Sequence, residues 1–495
     1  MNSPAPTAYR HPSGIYTLFF LEMWERFSYY GMRAILILFM IATAEAGGLA
    51  FDVQYAGAIY GLYTAGVYLL AVPGGWVADR LLGQQKAVWY GGIIIAAGHF
   101  SLAVPRIEAF FLGLFLIVVG TGLLKPNVSS IVGDLYPEGG ARRDAGFSLY
   151  YMGINLGAFI GPLVVGYLGE GINWHYGFAA AGVGMVAGLI QYRIQLPKLG
   201  AAGLLPTRDT SVAGDAAGLR NEWRGFWVAV ALLVALVAAA LAGAFSIDPV
   251  RVAQASTAVI IGVAVVYFAY ILMFGGIDAA DRKRVWMLAV LFVFAAMFWS
   301  GFEQAGSSLN IFAERYTDRD IFGWTMPASW LQSVNPIFII LLAPAFAALW
   351  INLGRRNLNP SVPVKFGLGL IQLGLGFAVM AGAAVFAAQG EQVLPLWLVL
   401  TYLLHTTGEL CLSPVGLSAV TKLAPRKFLG QMMGLWFISV ALGNLFAGLI
   451  AGRFDHDSLQ QMPGMFFSVF VWTAGPGLVL LVLARWMRNL SGGRD

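Results

Sequence analysis

Long apolar runs alternate with short polar breaks along almost the whole chain, and each run is long enough to cross a bilayer core as a helix. The runs fall at about 15 to 42, 52 to 78, 86 to 103, 107 to 131, 145 to 168 and 174 to 195. A polar stretch, Leu196 to Glu222, separates them from two runs at about 225 to 245 and 254 to 276 that carry almost no internal charge. Six more follow at about 285 to 313, 326 to 352, 363 to 388, 394 to 421, 429 to 452 and 463 to 487. The pattern predicts an all-α membrane protein of 14 transmembrane helices, arranged six, two and six. A first six-helix bundle would occupy residues 1–195, a cytoplasmic linker with two inserted helices 196–284, and a second six-helix bundle 285–495.

Composition agrees with that reading. The chain is 59% hydrophobic and only 11% charged, with 61 glycines, and its mean hydropathy is +0.73, which excludes an ordinary soluble domain. A single cysteine, Cys411, excludes any intrachain disulfide. The first apolar run is too long and too charged for a cleaved signal peptide and is expected to stay attached. Lys and Arg distribute one-sidedly across alternate breaks. With the N-terminus inside, only Arg106, Arg251, Arg315, Arg319 and Arg453 fall outside, and Arg26, Arg33 and Lys125 lie within helices. Every other basic residue, from Arg10 and Arg80 through Arg208, Arg282 and Arg355 to Arg494, collects inside, so both termini are expected in the cytoplasm. The net charge of +5 is thereby a topology signal and implies no nucleic-acid partner.

The run from Ile15 to Ala42 contains Glu22, Glu25, Arg26 and Arg33. With Tyr29 and Tyr30 they stack along one side of a helix. An ionisable group at the bilayer centre costs about 3 kcal/mol, so four together imply mutual pairing or a watered cavity, or else a neutralised packing cluster. Lys125 and Glu409 lie in helices running inward, about 16 and about 15 residues from their starts. Arg33 and Glu303 lie in helices running outward, each about 18 residues in. Each pair joins the two halves at matched depth, and the two pairs sit at different levels, as alternating gates or as static staples. Tyr29, Tyr30, Tyr63, Tyr68, Asn155, Trp299, Gln332, Asn335, Ser413 and Trp436 are mid-helix candidates for a shared cavity. His405 reads as packing, and there is no metal-ligand cluster, phosphate loop or nucleophile with a base. An enzyme is not expected, nor a metal or other cofactor.

Two six-helix halves with a long cytoplasmic connection resemble the layout of major facilitator transporters. Gly75-Trp-Val-Ala-Asp79-Arg80-Leu-Leu-Gly83 matches that superfamily's loop after the second helix, where the glycines would permit close approach and a tight turn while Asp79 and Arg80 lock helix ends. More specifically, Glu22-Met-Trp-Glu25-Arg26, Lys125-Pro-Asn, Phe147 to Asn155, Trp174 to Phe178, Phe298 to Gln304 with Ser307 to Asn310, Asn335-Pro336 and Glu409 to Leu417 resemble the proton-dependent oligopeptide transporter family, bacterial type. That resemblance implies a proton-driven symporter of di- and tripeptides in the bacterial inner membrane, acting as a monomer. It implies that Glu22, Glu25, Arg26, Lys125 and Glu303 couple protons, that Arg33 with Glu303 forms the outer gate and that Lys125 with Glu409 forms the inner one. Asn155, Asn335 and Glu409 would hold the peptide amino end, Arg26 and Lys125 its carboxylate, and Tyr29, Tyr30, Tyr68, Trp299, Ser413 and Trp436 would line the site. Animal relatives carry a histidine where Gly61 stands here, which leaves the carboxylates as proton carriers. A sibling carrying nitrate or another small anion, and a non-transporting peptide receptor, are the alternatives.

Overall fold

In a bilayer, main-chain N–H and C=O groups find no water and must pair within their own segment, so apolar runs of this length become helices. The computed structural model describes residues 11–138, 140–205, 213–244, 248–453 and 456–491. The first helices are α1 Gly14–Ile41, α2 Val53–Leu69, α3 Ala71–Val77, α4 Gln84–Leu102, α5 Ile107–Asp134, α6 Gly140–Gly171, α7 Trp174–Gln195, α8 Ala213–Leu241 and α9 Pro249–Phe274. They are followed by α10 Ala279–Phe302, α11 Ser308–Tyr316, α12 Val334–Arg355, α13 Val362–Ala387, α14 Leu396–Leu423, α15 Leu429–Ala451 and α16 Met462–Ser491. A small hairpin, β1 Asp320–Ile321 with β2 Trp324–Thr325, stands between α11 and α12.

Among the described residues, 11 spans are long and apolar enough to cross a membrane. Helices α1, α4 and α14 fall short because α1 carries four charges, α4 opens on Gln84-Gln85-Lys86, and α14 carries His405-Thr-Thr-Gly-Glu409. With them the count reaches the 14 expected from the runs. Two spans are interrupted. One passes from α2 through α3 into a π turn, Ala78–Leu82, and ends at Gly83, whose φ of 77° and contact with Leu205 (2.8 Å from a hypothetical Cβ) require glycine. Gly75 has open space around it, so the close approach expected there is not made. The other interruption separates α10 from α11 by a 3-10 turn, Glu303–Gly306. The polar stretch expected to run to Glu222 is shorter, because α8 begins at Ala213; Glu222 lies within it, 3.4 Å from Arg80, an exposed pairing that contributes little. Arg10, Arg208 and Arg494, counted inside by charge, lie outside the described residues.

Contacts divide the chain into two compact units. The first comprises Met1–Met32, Leu70–Gly161 and His175–Asp248. Its core is built from Leu18 and Leu21 of α1, Ile95 of α4, Val128 and Ile131 of α5, and Met185 and Tyr192 of α7. The second comprises Arg33–Leu69, Pro162–Trp174 and Pro249–Asp495. Here α13 packs on α14 and α16, and α10 on α15. The last turns of α1, the whole of α2 and the end of α6 also belong to this unit, so segments of the sequence's first six-helix run are packed among helices of its last six. Small residues make that possible along α2 and α15. Gly57 and Gly61 face Gly448 and Gly452, and a Cβ on Gly57 would stand 2.6 Å from the Gly448 carbonyl oxygen.

Candidate functional site

In the first unit the helical stagger of α1 delivers the expected cluster. Arg26 Nε stands 2.8 Å from Glu22 Oε1 and 2.8 Å from Glu25 Oε2, donating a hydrogen bond to Glu22, and all three side chains are buried. Two carboxylates against one guanidinium leave a negative balance. Lys125 of α5 lies within electrostatic reach of Glu25 and offsets it. Tyr150 of α6 adjoins Glu22 and Arg26, with its hydroxyl 3.4 Å from Ser129 Oγ. The Arg26 guanidinium also stands 5.6 Å from the Tyr29 ring, which meets Tyr30 edge to face at 5.2 Å. Asn155, buried on α6, spends a donor on its own helix, the Tyr151 carbonyl at 2.9 Å. Its remaining oxygen suits an ammonium group.

In the second unit Arg33 Nη2 meets Glu303 Oε2 at 2.6 Å, and Arg33 Nε donates to Tyr60 Oη at 2.6 Å. All three residues are buried. The pairing expected from depth is therefore formed, with a tyrosine from α2 as a third member that sequence reasoning missed. Glu303 caps the C-terminal end of α10, and the break that follows brings Gln304, Ser307, Ser308 and Asn310 into the same buried region. Asn310 Nδ2 donates to the Ala34 carbonyl at 2.7 Å, and Gln332 Nε2 donates to the same oxygen at 3.3 Å. Gln332 is thus a clasp on α1, where the sequence suggested a cavity wall.

Nearby on α14, Glu409 Oε2 accepts a hydrogen bond from Asn335 Nδ2 at 3.3 Å, while Asn335 also donates to Thr406 Oγ1 at 2.9 Å. Asn335 sits in the first turn of α12, where Pro336 is tolerated because its missing N–H would have no partner in the helix. Ser413 follows Glu409 by one turn, and Tyr68 lies at the end of α2, both half-buried. Trp299 stands edge-on to Phe298 and Phe302, at 5.5 and 5.4 Å, with a buried Nε1 that makes no hydrogen bond among the described residues. Trp436 packs on Phe366 and over Gly416, beside Phe268 of the inserted helix α9, and lines an apolar cleft there. A Cβ at Gly61 would come 3.1 Å from the Asn444 carbonyl and 3.2 Å from Gly448 Cα, so a side chain there would need the α15 backbone to give by a few tenths of an ångström. His405 is wedged between Phe377 and Phe302, as packing. Lys125 and Glu409 belong to different units, and their pairing rests on depth alone. No group of three or more His, Cys, Asp or Glu suited to a metal occurs among the described residues.

Comparison with known proteins places this arrangement among relatives. The model of the POT family matches residues 85–195 and 228–469. The peptide transporter YePEPT of Yersinia enterocolitica subsp. palearctica is 44% identical, across 98% of this chain and 97% of its own. The di-/tripeptide transporter of Lactococcus lactis subsp. cremoris is 40% identical across 89% of each chain. Among solved structures, a variant of the peptide transporter POT in complex with alafosfalin matches with a TM-score of 0.87 at 42% identity, covering 97% of this chain and 96% of that one. A POT family transporter in complex with 5-aminolevulinic acid matches at 0.85 and 34%, covering 96% and 97%.

Proposed function

This chain belongs to the POT family, with the all-α major facilitator fold, and we propose that it carries di- and tripeptides into the cell in symport with protons by alternating access. The observation that carries the gating part is the buried Arg33–Glu303 pair, 2.6 Å apart, which joins the first apolar run to the ninth. Losing one partner of a buried ion pair costs about 3–5 kcal/mol, because the other charge is left uncompensated. A proton on Glu303 therefore weakens closure on this side without any change in shape being imposed first. Lys125 with Glu409 is the corresponding inner gate.

Proton and peptide meet at the other charges. Glu22, Glu25 and Arg26, with Lys125 beside them, form the coupling cluster, since protonating one carboxylate frees a basic group for a peptide carboxylate. A zwitterion needs a negative anchor as well. Glu409, held by Asn335, takes the peptide amino group together with Asn155, and Arg26 and Lys125 take its carboxylate. Tyr29, Tyr30, Tyr68, Trp299 and Ser413 line the space for variable side chains, where tolerant aromatic walls favour promiscuity. The protein works as a monomer in a bacterial inner membrane and needs no cofactor, and the one-sided distribution of Lys and Arg supports cytoplasmic termini.

The test is uptake of labelled dialanine into proteoliposomes with and without an inward proton gradient. Gradient-driven accumulation, blocked by excess tripeptide and untouched by nitrate, is the expected result. Competition by nitrate alone would turn the assignment to an anion carrier.

A further inference from the structure

Leu163, Gly166 and Glu170 are spaced i, i+3, i+7 near the end of α6 and so share one face of that helix. The segment Pro327–Ser333, a 3-10 turn leading into α12, lies against this face within the second compact unit. The Ala328 N–H donates to Glu170 Oε2 at 2.7 Å and the Ser329 N–H to Glu170 Oε1 at 3.0 Å. Both carboxylate oxygens are thereby engaged by adjacent main-chain donors. Trp330 Nε1 donates to the Leu163 carbonyl at 2.9 Å, and at Gly166 any Cβ would collide with Ser329 Oγ. Further along the same turn, Gln332 holds the Ala34 carbonyl next to Arg33.

We propose that Glu170 is a second carboxylate of the outer gate, a positioning residue that clasps the Ala328–Ser333 turn through its main chain. The proposal rests on the reading of Arg33–Glu303 as the outer gate and adds a lock that reading does not contain. Helix α6 comes from the first six-helix run and the turn from the last six, so these contacts must part when the outer side opens. None of the three hydrogen bonds of the clasp is made to Glu303. Protonating Glu303 leaves these bonds in place, and the two locks add in free energy, so that losing either one raises the open fraction. The cost of release is set by two hydrogen bonds to a charged acceptor, which are among the stronger kinds.

The experiment uses the full chain with Cys411→Ser, spin-labelled at Ile172 and Phe322, both exposed, and reads the fraction of long distances in lipid. Glu170→Ala is expected to raise that fraction by roughly tenfold or more. Glu170→Gln, which keeps one acceptor oxygen, should fall between Ala and the parent, and the dialanine concentration giving half-maximal uptake from outside should drop in the same order. Should Glu170→Ala not fold, Trp330→Phe, which removes the indole donor and trims the ring that meets Trp324, makes the same test with a smaller rise. Glu303→Gln is measured in parallel. If it opens the outer side while the Glu170 and Trp330 variants leave the distances at parental values, the clasp is overturned and the gate stands. If the Glu170 variants open it and Glu303→Gln does not, the clasp holds and the ion-pair reading fails. No opening in any variant would overturn both.

Discussion

At the scale of single residues, the gating role proposed for the Arg33–Glu303 pair rests on its burial. Arg33 is held at once by Glu303 through Nη2 and by Tyr60 through Nε, so its charge is matched inside the protein. Glu303→Gln should shift the population away from outer closure by more than a hundredfold, following the roughly 3–5 kcal/mol attached to breaking a buried pair, and outside accessibility to a membrane-impermeant thiol reagent at an engineered cysteine measures it. Tyr60→Phe keeps the ring and removes one hydrogen bond to a charged group, for about 1.5 kcal/mol and roughly a tenfold shift in the same assay. Asn335→Ala removes the donor that orients Glu409. It should raise the half-saturating dialanine concentration about tenfold with little change in maximal exchange, as expected for a lost ligand-positioning contact. Arg33 and Glu303 could be matched from the sequence because charge in an apolar run is conspicuous and depth counts in residues. Tyr60 could not, since a tyrosine in a membrane helix more often packs or anchors, and Glu170 could not, since a glutamate at a helix end looks solvated. Tyr150 stood inside the stretch from Phe147 to Asn155 that carried the resemblance, and its mid-helix place was the only signal. Asn155 and Trp436 were placed by analogy, and neither the back-bond to Tyr151 nor the packing on Gly416 leaves a mark in residue type.

At the scale of elements, hydropathy located the spans and missed how they break. The passage from α2 into α3 falls among apolar residues and is silent in the sequence pattern, and the gap between α10 and α11 shows only as Glu303-Gln304 inside a longer apolar run. The gap matters because it brings Glu303 and Asn310, seven residues apart, to bear on neighbouring residues of α1. The α2–α15 crossing is more legible. Gly57 and Gly61 recur four residues apart, as do Gly448 and Gly452, a spacing that lets backbones meet. A side chain at Gly448 would strike Gly57 and Gly61. Gly448→Val should therefore force these helices apart, costing about 1–3 kcal/mol of the closed arrangement, and chemical cross-linking between cysteines at positions 54 and 453 should fall accordingly.

At the scale of the molecule, the units drawn by contact do not follow the six-two-six order of the runs. The last turns of α1, the whole of α2 and the end of α6 sit with α9 to α16, and the inserted helices are divided, α8 with the first unit and α9 with the second. Sequence order records which helices follow one another and says nothing of which ends are clasped at a given moment of a cycle. That information lies in neutral contacts such as Asn310 to Ala34 and Gln332 to Ala34, which carry no charge to betray them. A buried charged cluster, by contrast, was legible from Glu22, Glu25 and Arg26, because charge inside an apolar run is costly and conspicuous, whereas the coupling role proposed for it came from the resemblance. The most direct test traps a pH-sensitive dye in proteoliposomes and adds dialanine outside. The parent protein should acidify the interior in step with peptide entry, and Glu22→Gln should show no acidification while still exchanging labelled dialanine across the membrane. Acidification at the parental rate in Glu22→Gln, or dialanine entry without protons in the parent, would contradict coupling through this cluster.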